Sequence, residues 1–252
     1  MELGLNGRVA IITGSSRGLG KATALSLAAE GVFVSICARG EQALNAARAE
    51  IEAAGGKVAA TTADVATAEG CSVVFDATMN AFGKVDILVN NVGGAGREDS
   101  DEVWLEAYER NVLTAVRMCR LVLPGMREAG RGSIVNVASV WGREAGGSIQ
   151  YNHIKAALIS HAKNLALEVA GDGIRVNSVC PGSIRFPAGS WDRRVTEDPE
   201  GMARFVEQNI PAGRFGRAEE VADTITFLCS DRASWITGAA INIDGGQSRS
   251  NI

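Results

Sequence analysis

The chain has 252 residues, a net charge of −4 and 46% hydrophobic residues. This size and composition suit one large α/β domain with a full core, and the lack of a basic excess disfavours nucleic-acid binding. The five cysteines are far apart with no C-x-x-C, which indicates a reducing, cytoplasmic setting. We expect no signal peptide and no membrane-spanning segment. With only two histidines, His153 and His161, neither a histidine metal site nor a Ser-His-Asp triad is expected.

Short apolar runs rich in β-branched residues predict seven strands, and the stretches between them predict helices. The expected strands are 9–13, 32–38, 58–63, 85–90, 133–138, 175–180 and 240–243, and the expected helices are 18–30, 41–54, 67–82, 101–129, 149–170 and 218–229. This alternation predicts an α/β fold: one Rossmann-type, doubly wound parallel sheet with helices on both faces, spanning 1–252 as a single domain. Ligands should gather at the carboxyl ends of the strands.

A glycine-rich turn, Thr13–Gly20, joins the first strand to the first helix with the spacing G-x-x-x-G-x-G. Such a turn directs backbone N–H groups and a helix N-terminus at the place where a pyrophosphate can bind. The alternative for this segment alone is a plain tight turn that uses glycine at positive φ.

A tyrosine and a lysine, Tyr151 and Lys155, are four residues apart in a predicted helix and therefore share one face. A nearby ammonium favours the phenolate and lowers the phenol pKa from its usual value of about 10. Ser139 supplies a second hydroxyl that can hold a carbonyl oxygen. His153 points away from this face, and we interpret it as a packing or interface residue.

One segment, 183–211, interrupts the alternation with prolines, glycines and mixed charges. Its length predicts a substrate lid, and a surface excursion is the alternative.

Together these features resemble the short-chain dehydrogenase/reductase family. The overall residue pattern is similar to that of the bacterial 3-oxoacyl-[acyl-carrier-protein] reductases. The matching features occur in the family's order: Thr13–Gly20, Asp64-Val65, Asn90-Asn91-Val92-Gly93, Asn111, Ser139, Tyr151-x-x-x-Lys155 and Pro181-Gly182.

The resemblance implies a role for each matching residue. Tyr151 would be the general acid, Ser139 would hold the substrate oxygen, and Lys155 would lower the Tyr151 pKa and bind the nicotinamide ribose. Asn111 would lie in a helix irregularity and position a water that relays protons to Lys155, and Asn90 would contact the adenosine side. The implied cofactor-binding set is Gly14, Ser16, Arg17, Gly18, Leu19, Gly20, Arg39, Asp64 (at the adenine), Val65, Asn91, Gly93, Tyr151, Lys155, Pro181, Gly182 and Ile184; no metal is expected.

The cofactor predicted from the end of the second strand is NADP(H). An acid there usually binds the ribose 2′-hydroxyl of NAD, whereas this chain has Arg39 and no acid before Glu41. In the family, an arginine at this position or at that of Arg17 commonly contacts the 2′-phosphate, to which a forked guanidinium is suited. If Arg39 instead only starts the next helix in solvent, Glu41 could reach the ribose and permit NAD.

Three departures from the family pattern affect the expected site. The gap from Ser139 to Tyr151 is one residue shorter than the commonest, so the loop through Trp141 and Arg143 must be tightened. Asn152-His153-Ile154 replaces the frequent Ser-Ala between the Tyr and the Lys. Phe186 and Pro187 occupy the region where a threonine often binds the nicotinamide amide.

The function predicted is an NADP(H)-dependent oxidoreductase that acts on a ketone or secondary alcohol, with a 3-oxoacyl thioester as one candidate. A sugar, polyol or other small-alcohol dehydrogenase is the alternative, and a non-catalytic NADP sensor is a distant one because the catalytic set is intact. A homotetramer is expected from the resemblance and from the apolar segments Ala115–Met126 and Ala156–Val169. An acyl carrier protein has no clear support, because the lid arginines at 193, 194 and 204 are diluted by acids.

Overall fold

A computed structural model describes residues 2–94, 96 and 98–251 of the chain. In this part of the chain, seven parallel strands form one sheet in the order β3-β2-β1-β4-β5-β6-β9, and a separate parallel pair is formed by β7 and β8. The strands are β1 Val9–Ile12, β2 Phe33–Ala38, β3 Val58–Thr62, β4 Ile87–Asn90, β5 Gly132–Val137, β6 Ile174–Pro181, β7 Ile184–Arg185, β8 Gly216–Arg217 and β9 Ala240–Ile243. The predicted Rossmann-type sheet is confirmed.

Helices lie between the strands, largely where they were predicted. They are α1 Gly18–Ala29, α2 Glu41–Ala53, α3 Ala68–Phe82, α4 Asp101–Tyr108, α5 Thr114–Ala129, α6 Ile149–Val169, α7 Ser190–Glu197, α8 Pro199–Asn209 and α9 Ala218–Cys229. The single helix predicted over 101–129 is interrupted by a π-helical turn, Glu109–Leu113. The segment 183–211 is more regular than predicted, because it contains α7, α8 and β7.

The core has two layers, one on each face of the sheet. Successive strand residues point to opposite faces, so Ile12 packs in one layer and its neighbour Ile11 in the other. Buried side chains of α1, α2 and α9 cover the first face, and those of α3, α5 and α6 cover the second. Each fully buried aliphatic side chain stabilises the fold by about 1.5–3 kcal/mol. None of the helices in the described residues is long and apolar enough to cross a membrane.

The strand order reverses direction between β1 and β4, which are neighbours in the sheet. In a doubly wound sheet this reversal leaves a crevice at the carboxyl ends of the two strands. The glycine-rich turn follows β1, and Asn91 follows β4. The fold therefore brings both predicted motifs to the crevice.

Candidate active site

The glycine-rich turn after β1 is too crowded for side chains. Gly14 and Gly18 have φ of +65° and +57°, which favours glycine. A Cβ on Gly20 would lie 2.5 Å from the Gly14 carbonyl oxygen. The Asn91 carboxamide donates to the carbonyls of Thr13 and Gly14, each at 2.9 Å. The Asn91 side chain thus fixes the turn. The N–H groups in the first turn of α1 have no partner within the helix and can bind an anion.

Two hydroxyls that sequence reasoning left without a role join the neighbouring strands beneath this turn. Thr13 Oγ1 accepts from the backbone N–H of Asn91 at 2.9 Å, which ties β1 to the loop after β4. Ser15 Oγ accepts from the Cys37 N–H at 2.9 Å and donates to the Ile12 carbonyl at 2.7 Å. A hydroxyl on each side of Gly14, at a strand end, is the sequence signal for these bonds.

The ends of β2 and β3 carry Arg39 and Asp64 at the outer mouth of the crevice. Arg39 Nη1 lies 4.0 Å from Asp64 Oδ2, and their side chains are 69% and 47% exposed. Such an exposed ion pair contributes little to stability, so the Arg39 guanidinium can leave Asp64 for an anionic ligand at a small free-energy cost. Asp64 also accepts from the Ala66 N–H at 3.1 Å, and Glu41 is exposed at the start of α2.

Two predicted cofactor residues have buried side chains, and a third is a tightly packed glycine. Val65 and Ile184 have buried side chains, and the Val65 carbonyl accepts from Thr114 Oγ1 at 2.9 Å. Gly182 lies against Asp244 and Gln247, so that an added Cβ would be 2.7 Å from Gln247 Oε1.

The Asn90 side chain is turned into the core, which leaves the backbone of this residue for the predicted contact with the adenosine side. It is buried, and its Nδ2 donates to Asn136 Oδ1 at 2.9 Å, across to the neighbouring strand β5. Asn90 is the last residue of β4, and the alternation of the strand directs its side chain into the second layer while the next residue, Asn91, reaches the glycine turn.

Ser139 and Tyr151 form the hydroxyl pair at the inner end of the crevice. Ser139 lies just beyond β5, is buried, and accepts from the Trp141 N–H at 3.2 Å. Burial raises the pKa of Tyr151, and a hydrogen bond with Ser139 only partly opposes this rise. The net shift of the Tyr151 pKa is therefore upward, opposite to the lowering expected from a nearby ammonium, because burial is its largest cause. The Lys155 ammonium lies 5.5 Å from the Tyr151 ring centroid and donates to the Val137 carbonyl at 2.9 Å.

A buried cation and an amide meet beside Gly93. Burial lowers the pKa of Lys155 from 10.5 to about 8. A Cβ on Gly93 would lie 2.8 Å from Asn111 Oδ1 and 2.9 Å from Lys155 Nζ, so both groups converge on this glycine. The π-helical turn holds Asn111, whose Nδ2 donates to the carbonyls of Gly94 at 2.7 Å and Ala107 at 2.8 Å. A helix irregularity at Asn111 is therefore present, as the resemblance implied.

The short loop between Ser139 and Tyr151 is held tightly, as the spacing predicted. Asn152 Nδ2 donates to the Trp141 carbonyl and, at 2.7 Å, to the Glu144 carbonyl. Gly142 packs on α6 so closely that an added Cβ would lie 2.6 Å from the Lys155 carbonyl carbon. Arg143 donates to Asn242 Oδ1 at 2.8 Å, which ties the loop to β9.

The lid helices α7 and α8 rest on an aromatic cluster. The Trp191 and Phe205 rings stack with centroids 4.8 Å apart, and Phe215 lies 5.3 Å from Trp191. Between these helices and the β7–β8 pair is a cavity of about 860 Å³, lined in part by Met202 and Val206. Phe186, another lining residue, packs against the glycine turn, where a Cβ on Gly18 would lie 2.8 Å from its ring.

These residues fit a nicotinamide dinucleotide. The side-chain-free cradle at Gly14, Gly18 and Gly20 suits a pyrophosphate, and the space that only glycine permits at Gly93 lies beside Lys155. Arg39 and Asp64 follow β2 and β3, at the same carboxyl-end edge of the sheet as this cradle. The described residues hold no cluster of three or more potential metal ligands.

Comparisons with known proteins agree with this geometry. The family described as enoyl-(acyl carrier protein) reductase matches residues 14–248. A 3-oxoacyl-[acyl-carrier-protein] reductase of Thermotoga maritima is 37% identical over 249 residues, which cover 96% of this chain and 98% of that protein. The crystal structure of L-sorbose reductase from Gluconobacter frateurii, complexed with NADPH and L-sorbose, superposes with a TM-score of 0.94 at 38% identity and covers 99% of this chain and 100% of that one. A 7α-hydroxysteroid dehydrogenase complexed with NADH and 7-oxo glycochenodeoxycholic acid has a TM-score of 0.90 at 32% identity, covering 99% and 97%.

Proposed function

Since this chain belongs to the short-chain dehydrogenase/reductase family, we propose that it transfers a hydride between NADP(H) and a ketone or secondary alcohol. The observation that carries the proposal is that Tyr151 lies beside both Ser139 and buried Lys155. A non-catalytic NADP sensor would have no need for this set.

In the proposed reaction, bound NADPH supplies the hydride, and the protein supplies the proton and the alignment. The Tyr151 hydroxyl donates its proton to the carbonyl oxygen as negative charge develops there. The Ser139 hydroxyl donates a hydrogen bond to the same oxygen and holds it in place. Because burial raises the pKa of Tyr151, the phenol remains protonated and ready to act as the acid.

Lys155 and Asn111 serve the tyrosine in this scheme. The Lys155 cation, 5.5 Å from the Tyr151 ring, stabilises the phenolate that remains after proton transfer. Asn111 Oδ1, fixed by the π-helical turn, faces the same space at Gly93 as Lys155 Nζ. A proton returning to Tyr151 can pass by this route, with a water held by Asn111.

The cofactor is NADP(H) in preference to NAD(H). Arg39 stands at the end of β2, where an acid would bind the 2′-hydroxyl of NAD, and its only described ion pair is the weak one with Asp64. Support also comes from L-sorbose reductase, whose structure contains NADPH. Equal or higher kcat/KM with NADH than with NADPH would refute this preference.

For the substrate we propose a ketone with an apolar substituent, of which a 3-oxoacyl thioester is one type. The lid cavity supports this, because Val195, Met202, Val206 and Phe215 line much of it. A sugar ketone is the second candidate, since the similarity to L-sorbose reductase extends over 99% of this chain. The lid arginines are partly neutralised, as in Arg185–Asp192 at 2.9 Å, which gives no support for an acidic carrier protein.

We also propose a cytoplasmic homotetramer. All five cysteines are buried, free thiols, which suits a reducing compartment. The apolar surface available for assembly differs from expectation, because most apolar residues of α5 are buried against the sheet. The most exposed large apolar side chains among the described residues lie elsewhere: Trp235, Ile149 and Leu167, at 98%, 81% and 74%. Light scattering should give about 105 kDa, four times the 26.3 kDa chain; a 26 kDa particle at micromolar concentration would exclude the tetramer.

The direct test of the activity is NADPH oxidation, followed by absorbance, with a panel of carbonyl compounds. The panel should contain a 3-oxoacyl thioester, a simple 3-oxo ester, L-sorbose and a keto-steroid. Turnover with at least one of them supports the reductase. Tight NADPH binding without oxidation by any ketone would support the sensor instead.

A further inference from the structure

An indole stands beside the catalytic phenol. The Trp141 and Tyr151 rings meet edge to face, with centroids 6.2 Å apart and planes at 86°. Trp141 follows Ser139 by two residues, and the Trp141 backbone N–H donates to the Ser139 hydroxyl oxygen at 3.2 Å. The indole thus packs against the ring of the proposed proton donor, and its backbone is bonded to the hydroxyl that holds the substrate oxygen in the proposed reaction.

The rest of the loop folds against the indole and fixes its orientation. A Cβ on Gly146 would lie 2.3 Å from the pyrrole part of the Trp141 ring, and a Cβ on Gly147 would lie 2.6 Å from its benzene part. Because Cβ atoms do not approach so closely, both glycines are required where they are. Gly147 also has a φ of +68°, which favours glycine.

Asn152 fastens this arrangement to the catalytic helix. It is the residue after Tyr151, and its two N–H donors are used on the carbonyls of Trp141 and Glu144. The Glu144 carboxylate also accepts from the Arg249 N–H at 3.1 Å. Asn152 therefore ties the backbone of the loop at Trp141 to the part of α6 that carries Tyr151. This bond limits movement of the two rings relative to each other.

We propose that Trp141, positioned by Asn152, is the specificity-determining wall of the substrate site. With the carbonyl oxygen at Ser139 and Tyr151, one of the two carbon substituents must point toward the indole. A rigid indole there limits the size of that substituent, and by fixing which substituent takes the place it sets the face that receives the hydride. The inference rests on the reductase function proposed above and concerns its selectivity.

The test uses two ketones that differ only in the group beside the carbonyl, ethyl acetoacetate with a methyl and ethyl benzoylacetate with a phenyl. In Trp141→Ala the ratio of kcat/KM for the phenyl ketone to that for the methyl ketone should rise about 10-fold or more, since steric discrimination in pockets is of this order. The enantiomeric excess of the alcohol from ethyl acetoacetate should fall. Trp141→Phe, which retains a smaller ring, should give intermediate values.

His153→Ala is the matched control. His153 lies two residues beyond Tyr151 on α6, is exposed, and contacts Trp104, with ring centroids 5.7 Å apart, instead of Trp141. Its removal should leave both the ratio and the enantiomeric excess unchanged. If the control moves them as much as Trp141→Ala does, the wall is not at Trp141.

The positioning role of Asn152 requires a double-mutant cycle. Asn152→Ser should shift the kcat/KM ratio in the same direction as Trp141→Ala by a smaller factor, and should cause no further shift in the Trp141→Ala background. Independent effects of the two substitutions would refute action through Trp141. NADPH affinity and melting temperature, measured for each variant, report whether the nucleotide site and fold remain intact.

An unchanged ratio and enantiomeric excess in folded, active Trp141→Ala would overturn the proposal. If that variant does not fold, Trp141→Phe decides by the same criteria. If the wild type binds NADPH but reduces neither these ketones nor the wider panel, the reductase function itself fails, and the wall fails with it.

Discussion

The nucleotide crevice and the proposed lid, segment 183–211, differ in how many buried contacts hold them in place. The crevice is held by hydrogen bonds of the Thr13, Ser15 and Asn91 side chains and by glycines that admit no Cβ. Within their described ranges, neither α7 nor α8 has a buried residue, and the lid rests on the half-exposed cluster around Trp191. Regions with few buried contacts open at low free-energy cost. We therefore expect the crevice, proposed to bind the cofactor, to be rigid and the segment 183–211, proposed to be the substrate lid, to adapt.

The largest expected effect is the fall in kcat when the Tyr151 hydroxyl is removed. Tyr151→Phe removes the proton donor but retains the ring, so kcat should fall by roughly 10²–10⁴, the usual contribution of a general acid. NADPH affinity, measured by fluorescence titration, should remain nearly unchanged. A variant that retained more than about a tenth of the wild-type kcat, with chemistry rate-limiting, would remove Tyr151 from its role.

A smaller effect is expected at the outer edge of the crevice. A charged hydrogen bond contributes roughly 1.5–3 kcal/mol, so Arg39→Ala should weaken NADPH binding on the order of 10- to 150-fold. Binding of NADH, which lacks the 2′-phosphate, should be almost unaffected and is the internal control. Equal losses for the two cofactors would mean that Arg39 acts on the fold and not on the phosphate.

From the burial of Lys155 we predict that this lysine is needed for activity but lowers the stability of the fold. The Lys155 pKa is lowered from 10.5 to about 8, so between these values the unfolded chain binds more protons and the free energy of unfolding should rise with pH. At pH 7 the buried ammonium destabilises the fold. Lys155→Met should therefore be more stable there by about 1–3 kcal/mol, after the loss of the bond to Val137, while losing activity.

Urea unfolding across pH 7 to 10.5 checks this prediction. The advantage of Lys155→Met should shrink as pH rises through 8 and disappear near 10.5. Lys163→Met, which replaces an exposed lysine of the same helix, is the control and should leave the pH dependence as in the wild type. Parallel stability curves for Lys155→Met and the wild type would show that the ammonium is not destabilising.

The smallest expected effect is a change in lid protection. Hydrogen exchange in α7 and α8 should slow when NADP(H) and a substrate analogue bind together, because the lid then gains contacts that it lacks alone. Strands β4 and β5 should show the same protection in both states. Equal protection of the lid with and without ligands would remove the contrast between the crevice and the lid.

The crevice could be predicted from sequence largely because its signals are local. Strand β9 was predicted over 240–243 and is observed at Ala240–Ile243. Glycine spacing indicated the turn, since close backbone packing leaves few other residues possible. The direction of the Asn90 side chain was the exception, because only the strand alternation, seen in place, decides which of two adjacent asparagines faces the turn.

The lid helices and the surroundings of the catalytic residues could not be predicted from local patterns, because they depend on contacts between residues distant in sequence. Helices α7 and α8 were missed because prolines and glycines break their pattern and the Trp191–Phe205–Phe215 cluster joins residues far apart. The raised pKa of Tyr151 arises from burial, which no local motif encodes. Asn152 differs from the usual residue in the family, but only the folded loop shows what its carboxamide binds.

The central claim is that this site delivers a hydride from NADPH to a carbonyl carbon. The most direct measurement is incubation of the enzyme with NADPH deuterated at both C4 positions and a reducible ketone, followed by mass spectrometry of the alcohol. We predict one deuterium on the carbinol carbon in the wild type and only traces of labelled product with Tyr151→Phe. Alcohol formed without deuterium, or no alcohol from any ketone despite saturating NADPH binding, would contradict the account.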